Sequence, residues 1–414
     1  MVNDMGKTVV VIGGGPAGIM AAGMASQNGN KVILIEKNAK LGKKLSICGK
    51  GRCNITNDTD INGLMANIPG NSRFLYSALS KFSNHDIISF FEQRGLKTKV
   101  ERGGRVFPVS DKAIDVVCVL EKYLKQKQVN IRYNTIVKKI HTQDDKVVGV
   151  ELLEGEILDC DSVVIATGGE SYRATGSTGD GFRFAKDLGH TIMPIKPSLV
   201  PLVTKEAWVP KLQGLSLKNV GIVMKDSKNK EVYKDFGEML FTHYGVSGPI
   251  ILSASRHILK YNYENIKLSI DLKPALDLDK LDKRLQRDFL KYQNKMFKNA
   301  LDDILPQKLI PVIIELSGIS EDTVVNSITK KERHTLVNLL KNLQVEIIGA
   351  RPINEAIVTA GGVSTKEINP KDMQSKLIKG LYFAGEVIDV DGYTGGFNLT
   401  IAFSTGYLAG ISQL

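Results

Sequence analysis

The sequence predicts an α/β fold, a Rossmann-like parallel sheet that carries an inserted β-rich and helical domain. Three observations predict it. The apolar run Val9–Ile12 leads straight into Gly13-Gly14-Gly15-Pro16-Ala17-Gly18, a G-x-G-x-x-G turn that opens a helix. A second apolar run, Val32–Ile35, ends at an acid, Glu36. Near the C-terminus, Gly380–Glu386 is another short apolar strand ending in glycine and acid, and it must return to the first sheet because it is too short to build its own.

The first element is a strand buried on both faces, since its apolar run does not alternate. Gly13 allows the tight turn after it. Gly15 lets backbone approach a pyrophosphate, and Gly18 lets the next helix lie close on the sheet. Ala17, Ala21, Ala22 and Ala25 keep that helix slim. Its N-terminus presents unpaired N–H groups and a positive dipole end to phosphate. Glu36 is spaced to accept from a ribose hydroxyl. A glycine-rich turn with a surface acid is the competing account, and it leaves the joint occurrence of these features unexplained.

The segment Leu41–Asn57 follows. It holds Gly42, Gly49, Gly51, Lys43, Lys44, Lys50 and Arg52 among small polar residues, a composition suited to run along a polyanionic cofactor. Cys48 and Cys53 are spaced C-x4-C, as in flavin disulfide reductases. Those enzymes need a second G-x-G-x-x-G unit for nicotinamide, and Gly176–Gly181 has a different order of residues. Cys118 and Cys160 stand in apolar surroundings and are expected in the core. No Cys/His spacing suggests a metal site.

Residues 74–95 and 111–126 have helical periodicity. Asn130–Ile140 and Val147–Leu153 are expected as strands of a hairpin turning at Asp144-Asp145. Ser162–Gly169 is a buried strand running into glycines, with Thr167 and Gly168 at its cofactor-facing end. Pro194, Pro197 and Pro201 mark a change of composition. The expected partition is 1–194 for the first part of the cofactor domain and 195–275 for a β-rich substrate or cap domain. A helical subdomain takes 276–345, and 346–414 completes the cofactor domain. In this last part, Gly385, Glu386 and Gly392–Leu399 precede a small-residue helix whose start can stabilise negative charge.

Net charge is +11, from 55 Lys+Arg against 44 Asp+Glu, with lysines scattered along the chain and no run of like charges as long as the roughly five or six that mark a charged tail. A basic solvated surface accounts for it; attraction of phosphates is the alternative. Four cysteines in 414 residues make no disulfide framework, so a reducing cytoplasm is expected. No apolar run approaches the ~20 residues of a membrane helix.

Several motifs together resemble one family. They are Gly51-Arg52-Cys53-Asn54-Ile55-Thr56-Asn57, Arg105–Pro108, Thr175–Gly181, Phe241–Pro249, Thr359–Val363 and Gly385–Gly392, in order along nearly the whole chain. The chain resembles the BaiN-like (HI0933-like) NAD(P)/FAD-dependent oxidoreductases, flavoproteins related to aminoacetone oxidases. That group usually has a residue other than cysteine where this chain has Cys48. The resemblance implies a two-dinucleotide-fold flavoprotein with non-covalent FAD and an insertion covering the flavin. It implies that Gly13, Gly15 and Gly18 face the pyrophosphate and Glu36 the adenosine ribose. Lys44, Arg52, Cys53 and Asn54 would line the flavin half. Val137 would meet adenine through its backbone, Glu386 would hold the ribityl chain, and Asn398 and Leu399 would sit near the pyrimidine. Pro16, Ala17, Lys37, Gly51, Thr167, Gly168, Gly385 and Gly396 complete the expected cofactor-binding set.

The expected function is an FAD-dependent oxidoreductase. It would move hydride between flavin and a small organic substrate, at a carbon bearing an amine or hydroxyl or at an enone carbon. Oxygen or NAD(P)+ would reoxidise the flavin, or NAD(P)H would reduce it, with NAD(P) as co-substrate. His243 and Tyr172 are the candidate catalytic residues, with Tyr244, Phe107 and Tyr393 on the substrate face; a hydrogen-bonded structural histidine is the competing role for His243, and packing for Tyr172 and Phe107. A tRNA-modifying flavoprotein is the alternative, and a disulfide reductase or redox sensor using Cys48 and Cys53 is a third.

Overall fold

The computed structural model describes residues 6–413. Two compact units emerge. One runs to Ser198 and resumes at Ile353; the other is Leu199–Pro352.

The first unit is organised on a five-stranded parallel sheet. Its strand order is Leu381–Phe383, Ser162–Ile165, Thr8–Ile12, Lys31–Ile35, Asn130–Arg132. Val9, Val10 and Val11 are fully buried, which is why the run is continuous rather than alternating. The helix Pro16–Gln27 leaves Gly15 as its cap with proline at the first turn, a position that needs no N–H. The last helix, Phe397–Ile411, packs directly on it. A Cβ on Gly406 would lie 2.2 Å from the Ala17 carbonyl oxygen, and one on Gly410 2.5 Å from that of Ala21. Small residues on both helices thus permit backbone-to-backbone contact.

Three local expectations change. Residues 74–95 are not one helix. Tyr76–Lys81 ends near Phe82, and Asn84–Glu92 starts afresh from a capping box in which Ser83 accepts from the Asp86 N–H and Asp86 accepts from the Ser83 N–H. Asn130–Ile140 is two strands: Asn130–Arg132 joins the parallel sheet, and Val137–Gln143 forms the hairpin with Lys146–Leu152. The turn at Asp144 and Asp145 has both residues at positive φ, 50° and 54°. Cys118 is exposed rather than in the core. The helix Ala113–Gln126 buries residues 113, 116, 117, 120, 123 and 124, and 118 falls off that stripe.

The second unit holds a closed six-stranded barrel, ordered Leu202–Thr204, Gly245–Ser247, Glu231–Phe241, Ser216–Lys225, Ile266–Asp271, Leu343–Ala350. Helices Leu278–Lys291, Ile310–Ser317 and Lys330–Lys341 lie between its last two strands in sequence. The helical segment therefore interrupts the barrel, and residues 346–350 belong to the barrel rather than to the cofactor unit. The boundary at 195 moves likewise, because Ile192–Ser198 pairs antiparallel with Val358–Val363 in the first unit.

One buried histidine sets an acid limit. His190 is 3% exposed and its Nε2 pairs with Ser375 Oγ at 2.8 Å, while Nδ1 has no partner among the described residues. Burial pushes its pKa below the ordinary value. The folded state thus prefers the neutral ring, while the unfolded chain takes up a proton below about pH 6.5. This contribution is complete above that pH and falls as pH drops towards the lowered folded value. Urea titrations at about pH 7 and pH 5 should show a steeper acid loss in the wild type than in His190→Leu, compared with each protein's own stability at pH 7.

Candidate functional site

Four sequence motifs end on one edge. Ile12, Ile35, Ile165 and Phe383 stand in register across the parallel sheet. The residues that follow them are Gly13, Glu36, Ala166-Thr167 and Ala384-Gly385. The carboxyl edge of a parallel sheet is where such folds bind ligands. Backbone hydrogen bonds continue the ladder past the strand ends: Gly13 N–H to the Ile35 oxygen at 2.8 Å, Ala166 N–H to Ile12 at 2.9 Å and Ala384 N–H to Ile165 at 3.0 Å.

The glycines of the first turn divide by what surrounds them. Gly13 has φ of 108° and a Cβ there would lie 2.5 Å from the Ala166 oxygen. A Cβ on Gly18 would lie 1.9 Å from the Gly13 oxygen. A Cβ on Gly15 would meet no protein atom within 4 Å. Two glycines are therefore required by the protein itself, and the third borders open space. The helix beginning at Pro16 and Ala17 has no side-chain cap and no acid in its first turn. Its start remains open to an anion.

Glu36 is 8% exposed and already engaged. Oε2 accepts from Gly14 N–H at 2.8 Å, and Oε1 accepts from Asn38 N–H at 2.8 Å and Nδ2 at 2.7 Å. Oε1 is filled by the two Asn38 donors, while Oε2 retains capacity for one more. Thr135 N–H donates to the Glu36 carbonyl at 3.1 Å, which sets the segment leading to buried Val137 beside this acid. Lys37 turns to Asp180 at 2.7 Å and Thr178 at 2.5 Å. Glu36→Ala is expected to weaken FAD binding about ten- to hundredfold, the equivalent of roughly 1.5–3 kcal/mol for hydrogen bonds to a charged group. Fluorescence titration of the folded variant checks this, and unchanged affinity would make Glu36 a purely structural acid.

The other end of the edge is an ion-paired cluster. Lys44 Nζ contacts Glu386 Oε2 at 2.8 Å and Ser171 Oγ at 2.6 Å. Glu386 Oε1 accepts from Thr359 N–H at 2.9 Å and Ser171 Oγ at 3.1 Å. Burial alone would raise the Glu386 pKa, but Lys44 and the Thr359 hydrogen bond hold it below the ordinary value. Ser171 and Thr359 had no role in the sequence reading. Ser171 follows the Thr167-Gly168-Gly169 turn closely, and Thr359 opens a quoted motif, so position was the only available signal.

The Gly51–Asn57 motif is clamped to the start of the last helix. Thr56 and Thr400 hydroxyls meet at 2.7 Å, and Asn57 Nδ2 donates to the Gly395 oxygen at 2.9 Å. Gly396 caps that helix without a side-chain cap. The Asn398 side chain is spent on Gly392, accepting from its N–H at 2.8 Å and donating to its oxygen at 2.7 Å. Backbone N–H groups of Asn398 and Leu399 are what this helix start can offer a ligand. Arg52 is held by protein. Its Nη2 meets Glu101 and its Nε meets Asp111 at 2.9 Å, while the guanidinium lies 4.2 Å from the Phe107 ring centroid. Phe107 is buried under it, 4% exposed, and packs rather than facing a ligand.

Two expected cofactor residues carry unpaired atoms. Asn54 Oδ1 and Thr167 Oγ1 are buried with no hydrogen-bond partner among the described residues. Buried polar atoms are almost always paired, so each calls for a partner from a ligand or water. Tyr172 is 37% exposed, has φ of 53°, and its ring centroid lies 6.0 Å from Lys44 Nζ. A non-glycine residue held there stores strain, which concentrates at functional sites. His243 belongs to the second unit. It is exposed in the turn before Gly245–Ser247, edge-on to Tyr244 at 4.8 Å, and Arg351 lies 4.5 Å from the Tyr244 centroid.

Among the described residues no helix is long and apolar enough to cross a membrane. The chain is 33% identical over 411 residues to a 3-dehydro-bile acid delta(4,6)-reductase of Clostridium scindens, covering 97% of each chain. It is 31% identical over 399 residues to a ribosomal RNA dihydrouridine synthase of Escherichia coli, covering 96% of each. In fold it is similar to a 3-ketosteroid-delta4-(5alpha)-dehydrogenase from Rhodococcus jostii, with TM-score 0.52 at 16% identity, over 100% of this chain and 98% of the other. The family model described as HI0933-like protein Rossmann domain matches residues 7–412, and the chain belongs to that family.

Proposed function

We propose that this protein reduces a carbon–carbon double bond conjugated to a carbonyl group, with FAD bound non-covalently along the sheet edge. It is an FAD-dependent oxidoreductase by family. The observation that carries the finer reading is the shared chemistry in the relatives' names. A delta(4,6)-reductase acting on a 3-dehydro bile acid and an enzyme making dihydrouridine both name saturation of a C=C bond conjugated to a carbonyl.

The residues present suit the cofactor. The open space at Gly15 and the uncapped helix start suit a pyrophosphate. Glu36 has acceptor capacity for a ribose. Thr167 Oγ1 and Asn54 Oδ1 are the unpaired atoms that a ligand would satisfy. When bound, FAD supplies a two-electron carrier able to take hydride from NAD(P)H and give it to carbon. Lys44 and Glu386 fix each other's position, and Glu386 would orient the ribityl chain. Tyr172 is assigned the proton that completes the addition, because it is a partly exposed phenol beside the Lys44 ammonium. His243 is the second candidate for that proton.

A ribosomal RNA uracil is the second reading of the same chemistry. It is favoured by the net charge of +11, which suits a phosphate backbone, and by the names of two relatives. The purified protein should be yellow and should release FAD on denaturation; release of FMN alone would remove the reading. Reduced protein is then mixed anaerobically with a 4-en-3-one steroid, with uridine-containing rRNA fragments, or with NAD(P)+. Flavin reoxidation with a product about 2 Da heavier identifies the acceptor. Reoxidation only by NAD(P)+, or only once air is admitted, with neither unsaturated carbonyl reduced, would overturn the proposal.

A further inference from the structure

The proposed reduction makes no use of the cysteines at 48 and 53, yet the chain between them is unusually shaped. Gly49, Lys50, Gly51 and Cys53 have φ of 58°, 59°, 83° and 60°. Lys50 and Cys53 are held where side chains are disfavoured. The Cys53 N–H donates to the Cys48 oxygen at 3.0 Å, which closes the turn. The two thiols lie close enough for each to be the leading influence on the other's ionisation. Cys48 is half-buried and reachable, while Cys53 has no exposed surface.

We propose that Cys48 and Cys53 are a peroxide-responsive pair, with Cys48 the site of oxidation and Cys53 the thiol that closes a reversible disulfide. The Cys48 sulfur attacks the terminal oxygen of a hydroperoxide. The O–O bond breaks, an alcohol or water leaves, and Cys48 becomes a sulfenic acid. Cys53 then attacks that sulfur. Hydroxide leaves with the Cys53 proton as water, and an S–S bond forms. The peroxide has taken two electrons from the two sulfurs.

The surroundings divide the two roles. Hydrogen bonds from Cys53 and Asn54, with the Lys44 charge nearby, push the Cys48 thiol below its ordinary pKa against the effect of burial. Cys53 is pushed up, first by its hydrogen bond to Cys48 and then by burial. The accessible sulfur is thus the nucleophile, and the shielded one stays a thiol until its neighbour is oxidised. The other cysteines lack this combination. Cys160 is buried and its pKa is pushed up to about 12, and Cys118 is exposed on the outer side of its helix.

The test uses full-length, flavin-loaded protein, reduced with dithiothreitol, desalted under argon and treated with hydrogen peroxide. Thiol titration should fall from four to two. Peptide mapping should show Cys48 linked to Cys53, about 2 Da lighter, and dithiothreitol should restore it. In Cys53→Ser, and in Cys53→Ala should serine disturb the buried site, Cys48 should be captured by dimedone as the sulfenic acid. Iodoacetamide labelling of Cys48 in untreated protein should persist to lower pH than labelling of Cys118. Oxidation of Cys118 ahead of Cys48, or absence of both the linked peptide and the dimedone adduct, would overturn the proposal.

Discussion

Lys44→Met is expected to destabilise the protein by about 3 kcal/mol and to lose most of its bound FAD. The lysine and Glu386 are paired at 2.8 Å with side chains only 29% and 19% exposed. Removing the cation leaves a carboxylate whose other contacts, Ser171 and Thr359, cannot neutralise it. Breaking such a pair costs more than the pair contributes, because one charge stays buried and uncompensated. The figure is the low end of the usual range, since Lys44 keeps some contact with water. Glu386 should respond by rising in pKa, so the variant's stability should fall as pH rises past the carboxylate range. Wild type has the opposite slope in acid, where its lowered carboxyl must be protonated before that stabilisation is lost. Chemical denaturation at about pH 3, pH 5 and pH 8 measures both slopes, the wild-type one below about pH 5 and the variant's above it. The double variant Lys44→Met/Glu386→Leu should recover stability without recovering flavin. A single variant as stable as wild type would mean that the pair is an ordinary solvated ion pair.

This pair also shows what the sequence could and could not disclose. Its members lie 342 positions apart. Lys44 stood in a basic, glycine-rich segment and Glu386 in a strand-glycine-acid unit, and each suggested a cofactor on local grounds. Nothing local said that they would bind each other. The same holds for Arg52. Its position in Gly51–Asn57 pointed to a ligand, but the hairpin Thr98–Pro108 and its flank bring Glu101 and Asp111 to it. Side-chain partners set by tertiary folding leave no mark in spacing. The parallel sheet was legible because two-sided burial forces continuous apolar strands such as Val9–Ile12. The last strand of the barrel was not. Leu343–Ala350 alternates in burial like any half-exposed strand, and its pairings with Ile266–Asp271 on one side and Leu202–Thr204 on the other assign it to the barrel. Cys118 was misplaced because its apolar neighbours in sequence are not its neighbours on the helix.

Gly15→Ala and Gly18→Ala should fail in different ways, and the contrast tests the cofactor cradle directly. A Cβ on Gly18 would stand 1.9 Å from the Gly13 carbonyl oxygen and 3.3 Å from the Ala166 side chain. Its nearest neighbour is backbone and cannot swing aside. The helix Pro16–Gln27 must lift from the sheet, which costs at least the 1–3 kcal/mol usual for overpacking, and about 3 kcal/mol or more is expected here. Gly18→Ala should therefore express poorly or unfold early, with or without flavin. Gly15 has φ of −84° and ψ of −179°, an extended conformation open to alanine, and its Cβ would meet no protein atom within 4 Å. The apo form of Gly15→Ala should be as stable as wild-type apoprotein, or gain by up to about 1 kcal/mol from a less flexible unfolded chain. Its defect should appear only when FAD is added. A methyl group there would occupy space that the pyrophosphate needs, and affinity should fall by about a hundredfold, some 2.7 kcal/mol. Urea denaturation of the two apo variants, followed by FAD titration of whichever folds, makes the comparison. Gly15→Ala that folds normally and binds FAD with wild-type affinity would show that the open space at Gly15 is not where the cofactor lies.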